Sequence, residues 1–350
     1  MIVFSAAQAV SPAIERTRHL LFRPFRLGTF LKLCTIAVFT EGFGGNFNFS
    51  GPSHSTTEHT HTSTFLSGTA FVWTPGWIAL LAAVVVLSVV LSLALFYLMT
   101  RLRFALFYSL AYQVKEIRPG WRLYREPANR FFKLNLVVGL AFLFVVLLSV
   151  APFAFGFFRM FKETQAGAHF DILLFVSLFL PVLALLFVII FAAVAIDIVL
   201  RDFMLPHFAL EDLSAGAAWR EVRARIAAEK GSFFVYGLLR IFLPFAAMFA
   251  LLLVLAIPTL LVVAIVVAVF SGVHLILPSS EAMRILLGVV VGLVAFTLAL
   301  LLGICFGGPL SIWIRNFALV FYGGRFPLLG NVLFPPPPPA LFAAGDAPTL

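Results

Sequence analysis

Long apolar segments alternate with short, arginine-rich polar segments along most of the chain. The apolar segments cover approximately residues 27–42, 77–100, 134–158, 172–200, 233–272 and 284–306. A helix needs about 20 apolar residues to cross the roughly 30 Å hydrocarbon core of a bilayer. The pattern therefore predicts an all-α fold, a polytopic transmembrane helical bundle of about six spans with amphipathic helices at the cytoplasmic membrane interface.

The segment 233–272 is too long for one span and slightly short for two. Pro258 is the only natural break within it. We expect either one span over 233–256 followed by a kinked or re-entrant piece over 258–272, or two cramped spans that form a hairpin. Six spans are therefore the prediction and seven the alternative. The whole of residues 1–330 is expected to form one integral membrane domain, and the proline-rich tail 331–350 to be disordered.

Composition excludes a water-soluble protein. Apolar residues make up 62% of the chain, charged residues only 11%, and the mean hydropathy is +1.08. A soluble fold built from this chain would expose far more apolar surface than soluble monomers tolerate. We therefore expect lipid to cover most of the surface.

The distribution of basic residues predicts the orientation. With six spans, nineteen Lys and Arg residues fall on the side of the N-terminus and three on the other side. Basic loops stay in the cytoplasm, so both termini are predicted to be cytoplasmic in a multi-pass protein of the cell (inner) membrane. The net charge of +9 then fits anionic lipid headgroups as partners rather than nucleic acid.

A basic amphipathic segment lies between residues 212 and 231. Helical spacing puts Trp219, Val222 and Ile226 on one face, and Arg220 and Arg223 beside it. This pattern predicts a helix that lies on the membrane surface, with its apolar face below anionic headgroups. A helix that binds a membrane-protein partner is the alternative.

Two charged residues lie inside predicted spans. Asp197 and Arg240 fall at similar depths below the basic side, in spans joined by a short connection. An unpaired ion in hydrocarbon is costly, so we expect an ion pair between these two helices. Two alternatives stay open: Arg201, one turn beyond Asp197, competes for the carboxylate, and Arg240 could extend its guanidinium to the headgroups.

No segment predicts catalysis or a cofactor. The stretch with His54, Glu58, His59 and His61 has residue types that bind zinc or copper, but its flanks are Ser, Thr and Gly, so we expect a solvated loop without metal. The chain has no G-x-S-x-G, H-E-x-x-H or Walker A motif. We therefore expect a protein that is not an enzyme.

Three short motifs carry a resemblance to known families. They are residues 13–27 (AIERTRHLLFRPFRL), residues 30–33 (FLKL) and residues 201–206 (RDFMLP). They resemble uncharacterised polytopic membrane families of bacteria and archaea, which are domains of unknown function. In plan the chain is also similar to the membrane domain attached to some glycerophosphoryl diester phosphodiesterases, although the catalytic barrel of those enzymes is absent here.

Two functional hypotheses follow. The first is a non-enzymatic membrane component that organises lipid or a partner protein through its cytoplasmic helices. The alternative is a small-molecule or lipid transporter or channel, which the prolines within predicted spans would suit. The scarcity of charges inside the spans disfavours coupling to ions.

Overall fold

The computed structural model describes residues 3–42, 75–165, 172–276 and 281–335, and in these ranges the chain forms helices and no strand. The histidine-rich stretch and the tail beyond residue 335 lie outside the described residues. The helices in chain order are α1 (Val10–Phe22), α2 (Leu27–Ala37), α3 (Pro75–Ala111), α4 (Arg118–Leu123), α5 (Arg125–Gln165), α6 (Ile172–Ile198), α7 (Leu205–Leu210), α8 (Ala215–Ala228), α9 (Lys230–Ile276), α10 (Glu281–Gly323) and α11 (Pro327–Leu333). Two π-helical segments, Val38–Gly42 and Val199–Met204, follow α2 and α6.

The described residues are all-helical, as predicted, and five helices are long and apolar enough to cross a membrane, which fits a multi-pass membrane protein. The candidate spans are Ala79–Ala111, Arg125–Lys162, Phe175–Leu210, Lys230–Ala268 and Gly288–Gly323. The first predicted segment, 27–42, is not among them. Its α-helix has 11 residues and its π-helical segment 5, which together reach about 24 Å at 1.5 Å per residue, less than the roughly 30 Å core.

The break expected at Pro258 does not occur. α9 is one continuous helix of 47 residues that passes through Pro244 and Pro258. Proline is tolerated in apolar helices because local adjustment and neighbouring groups satisfy the backbone carbonyl that it leaves free. Residues 233–272 therefore form neither a hairpin nor a separate re-entrant piece.

The buried core lies at one end of the long helices. We call this packed layer the head: it comprises α1, α2, α4, α7, α8 and α11, together with the adjoining ends of α3, α5, α6, α9 and α10. Aromatic contacts fill it, such as the stacked rings of Tyr236 and Phe321, whose centroids are 4.3 Å apart. In contrast, the most apolar stretch of each long helix has almost no buried residue.

A close backbone contact seats α2 against α10. A Cβ atom on Gly308 would lie 2.2 Å from the Cβ of Cys34, so only glycine permits this approach. Cys34 is buried and Cys305 half-buried, both as free thiols. The contact fixes α2 beside the head end of α10, which brings Glu41 to the charged side chains described next.

Candidate functional site

Seven charged side chains converge where the head meets the long helices. We call them the ion cluster: Glu41, Arg103, Asp197, Arg201, Asp202, Arg240 and Arg315. They come from the π-helical segment that follows α2, from α3, from α6 and its π-helical extension, from α9 and from α10. Four arginines against three carboxylates leave one net positive charge. Burying so many charges is favourable only when each is paired.

Asp202 lies at the centre of the ion cluster. Arg315 Nη1 donates to its Oδ1 at 2.7 Å, and Arg240 Nε donates to its Oδ2 at 2.9 Å. The hydroxyl of Tyr236 also donates to Oδ2, at 2.7 Å. Hydrogen bonds between charged groups are the strongest in proteins, so this carboxylate ties α6, α9 and α10 together.

Glu41 extends the ion cluster to α2 with longer contacts. Its Oε2 lies 3.8 Å from both Arg201 Nη1 and Arg240 Nη2, and its Oε1 lies 3.9 Å from Arg315 Nε. These separations exceed a direct hydrogen bond and match electrostatic contact or bridging through water. Nearby, Arg103 Nε donates to the carbonyl of Thr40 at 3.2 Å, which joins α3 to the same group.

The π-helical turn Val199–Met204 creates the central position of Asp202. Residues 201–204 of this turn are buried, as is the following Leu205. The protein therefore surrounds this part of the turn on every side. A π-turn advances the backbone by less than the usual 100° per residue, which shifts the faces on which later side chains lie. Asp202 consequently faces α9 and α10.

The structure does not bring Asp197 and Arg240 together. Asp197 Oδ1 lies 2.5 Å from Arg201 Nε on its own helix, which is the local alternative, and Arg240 pairs with Asp202. The π-turn at Val199–Met204 follows Asp197, and it is Asp202 within this turn that faces Arg240. The motif Arg201-Asp202 within RDFMLP was the sequence signal that could have identified the second carboxylate.

The segment 212–231, which was predicted to lie on the membrane surface, contains the helix α8, with Ser214 Oγ accepting from the N–H of Ala217 at its start. Its apolar residues do not share one environment. Val222 is fully buried and Ile226 packs on the core, whereas Trp219 is 46% exposed. Val222 cannot enter lipid because α8 packs on the head. Arg220 and Arg223 are exposed, as the pattern predicted.

A second buried polar group, which the sequence analysis missed, surrounds His207. Tyr322 OH lies 2.7 Å from its Nε2, and Arg225 Nη1 lies 3.3 Å from the same nitrogen. Glu211 Oε2 lies 2.6 Å from its Nδ1. Because a guanidinium can only donate, Nε2 is the acceptor and Nδ1 carries the proton that His207 donates to Glu211. This group fixes α7 and α8 against α10.

Comparison with known proteins places the chain in a family. A family model of unknown function, DUF7544, matches residues 4–332, which covers both the head and all five candidate spans. The chain belongs to the DUF7544 family. No curated protein and no solved structure matches it. The comparisons show no link to the membrane domain of glycerophosphoryl diester phosphodiesterases, so DUF7544 membership assigns no activity.

The ion cluster links helices to one another through paired charges. Each of its carboxylates faces at least one arginine, so each acid in the cluster has a basic partner. Across the described ranges, no group of three or more His, Cys, Asp or Glu residues could hold a metal ion. The arrangement can hold five elements in fixed register, and that is the role we assign to it in this DUF7544 protein.

Proposed function

We propose that this protein is a non-enzymatic component of the cell membrane that organises lipid around long helices that extend from a packed head. The proposal rests on the observation that the buried residues and the stretches that could cross a membrane lie in different parts of the protein. The head contains nearly all the buried residues, and the apolar stretches of the five candidate spans remain uncovered. In a bilayer, uncovered helices recruit lipid or other helices.

The residue types on the uncovered helices favour lipid over a protein partner. Bulky Leu, Val, Ile and Phe side chains dominate them, for example Phe144, Phe187 and Phe249, each at least 65% exposed. Interfaces between transmembrane helices use small residues such as Gly, Ala and Ser, because these let the backbones approach closely. A surface of large, branched side chains suits disordered acyl chains better.

The distribution of charge supports this proposal over a transporter or channel. The stretches 79–100, 134–158, 175–196, 241–268 and 288–314 contain no charged residue. Transport sites near the middle of the membrane are usually built from polar or ionisable groups and broken helices. In this chain the buried ions lie in the head instead.

The orientation that we propose puts the head on the cytoplasmic side of the membrane, together with both termini. Its many arginines would then meet the anionic cytoplasmic leaflet, as the positive-inside rule requires. The exposed Trp219, Arg220 and Arg223 of α8 support contact with that surface, although Val222 and Ile226 pack on protein.

Photo-cross-linking in native membranes tests this function. A benzophenone amino acid replaces Phe144, Phe187 or Phe249 in the full chain, and Phe131, which is buried in the head, serves as the matched control. We expect lipid adducts at the three exposed positions and none at residue 131. A discrete protein adduct at two or more of the exposed positions would show a partner protein instead, and would overturn the assignment to lipid.

A further inference from the structure

We propose that a groove between α6 and α9 binds one acyl chain of an anionic phospholipid, with the phosphate of that lipid at Lys230. The inference deepens the proposed function by naming a lipid class and a site. The groove is lined by thirteen residues, of which Lys230 alone is charged. Phe191, Ile198 and Phe203 line it from α6 and its extension, and Phe233 and Leu238 line it from α9.

The length of the groove matches one leaflet. From Lys230 to Ile241 the lining of α9 extends over 11 residue steps, which is about 16 Å at 1.5 Å per residue. Half of a roughly 30 Å hydrocarbon core is about 15 Å. An acyl chain that starts at the level of Lys230 would therefore lie in the groove for the depth of its own leaflet.

The shape of the groove suits a flexible acyl chain. It holds about 310 Å³ of accessible space and is open along one side. Its sides open toward the bilayer, because Phe191 is 62% and Phe234 is 65% exposed. Gly237 lies on the lining, and a Cβ atom there would meet nothing within 4 Å. A single flexible chain fits this space.

The charge at the mouth of the groove selects an anionic headgroup. Lys230 is exposed and forms no ion pair in the described part of the chain. Its neighbour Glu229 is occupied by Arg325 at 2.8 Å, so it does not compete for the ammonium. Arg223, one turn before the lining residue Ile226, is also exposed and free of any described carboxylate. A phosphate at this position would meet positive charge without a competing acid.

Native mass spectrometry of the delipidated full chain tests the site. The probes are phosphatidylglycerol and phosphatidylcholine with identical acyl chains. We expect the wild type to retain phosphatidylglycerol preferentially. Lys230→Gln should weaken its binding about fivefold, because a basic residue near an anionic surface contributes about 1 kcal/mol. Lys133→Gln, a change of an exposed lysine that does not line the groove, is the matched control and should have no effect.

A second pair of variants tests the groove itself. Gly237→Phe fills it and should reduce the binding of both lipids, while Gly139→Phe, at an exposed glycine of α5 with equally open surroundings, should not. Equal retention of the two lipids by the wild type would overturn the anionic assignment. Unchanged binding in Gly237→Phe would overturn the site. Lipid adducts at Phe144, Phe187 and Phe249 would persist in both cases, so failure here is distinguishable from failure of the proposed function.

Discussion

Arg315 and Asp202, which are 113 residues apart in sequence, form a 2.7 Å hydrogen bond between side chains that are 2% and 0% exposed. This contact joins the last long helix to the π-helical turn that follows α6. The same carboxylate also accepts from Arg240 and Tyr236. The head therefore depends on one carboxylate that joins three of the long helices.

Removing that carboxylate should destabilise the protein strongly. Asp202→Asn leaves Arg315 and Arg240 with only their longer contacts to Glu41, at 3.9 and 3.8 Å, and breaking a buried pair on one side costs about 3–5 kcal/mol. Thermal unfolding of the purified protein in detergent measures the loss. Asp197→Asn is the matched control: its side chain is 37% exposed and its pair with Arg201 is local, so a much smaller effect is expected. Equal losses in the two variants would contradict a central role for Asp202.

Arg16 should be sensitive even to substitution by lysine. Its Nη1 donates to the carbonyl of Leu333 at 2.8 Å, and its Nη2 to the carbonyls of Leu110 and Ala111 at 3.0 and 3.2 Å. One planar guanidinium thus satisfies the last carbonyls of both α3 and α11. Burial lowers the pKa of Arg16 to about 10, which leaves the group charged at neutral pH.

The expected cost of Arg16→Lys is about 1–3 kcal/mol, because a single ammonium cannot reach all three acceptors and leaves some buried carbonyls unsatisfied. Unfolding followed in detergent measures it. Arg18→Lys, on the same helix but exposed, is the control and should be neutral. If both lysine variants unfold at the wild-type temperature, the hydrogen bonds from Arg16 to the ends of α3 and α11 contribute nothing to stability.

Gly308 should not tolerate even one added methyl group. Gly308→Ala places a Cβ 2.2 Å from that of Cys34, which forces α2 away from α10. Overpacking of this kind costs about 1–3 kcal/mol. Gly303→Ala, five residues earlier on α10 with nothing within 4 Å, is expected to be neutral or to stabilise the helix by up to about 1 kcal/mol. Thermal unfolding of the two variants side by side distinguishes these outcomes.

Reporter fusions test the proposed topology. Fusions after residues 60, 120, 165, 215 and 350 should report outside, inside, outside, inside and inside, because the basic segments remain in the cytoplasm. Cytoplasmic and periplasmic reporters at each position provide mutual controls. An outside signal at residue 350 would contradict a cytoplasmic C-terminus, and an inside signal at residue 60 would show that residues 27–60 do not cross.

The apolar pattern by itself determined the helical membrane class and the approximate position of all five candidate spans. Long runs of apolar residues admit few alternatives, because in lipid every backbone polar group must be satisfied within its own helix. The pattern could not decide the short segment 27–42, whose apolar length is ambiguous, nor the effect of Pro258, which breaks helices in water but is tolerated here.

Only the tertiary structure decided which charges meet. Similar depth predicts Asp197 and Arg240 as partners, but Asp202, in the π-turn Val199–Met204, pairs with Arg240 and Arg315 instead. A change of helical register is a local rotation that neither hydropathy nor charge spacing encodes. Only the tertiary structure shows that Val222 is buried in the head. Helical periodicity identifies an apolar face, but it leaves open whether lipid or protein covers that face.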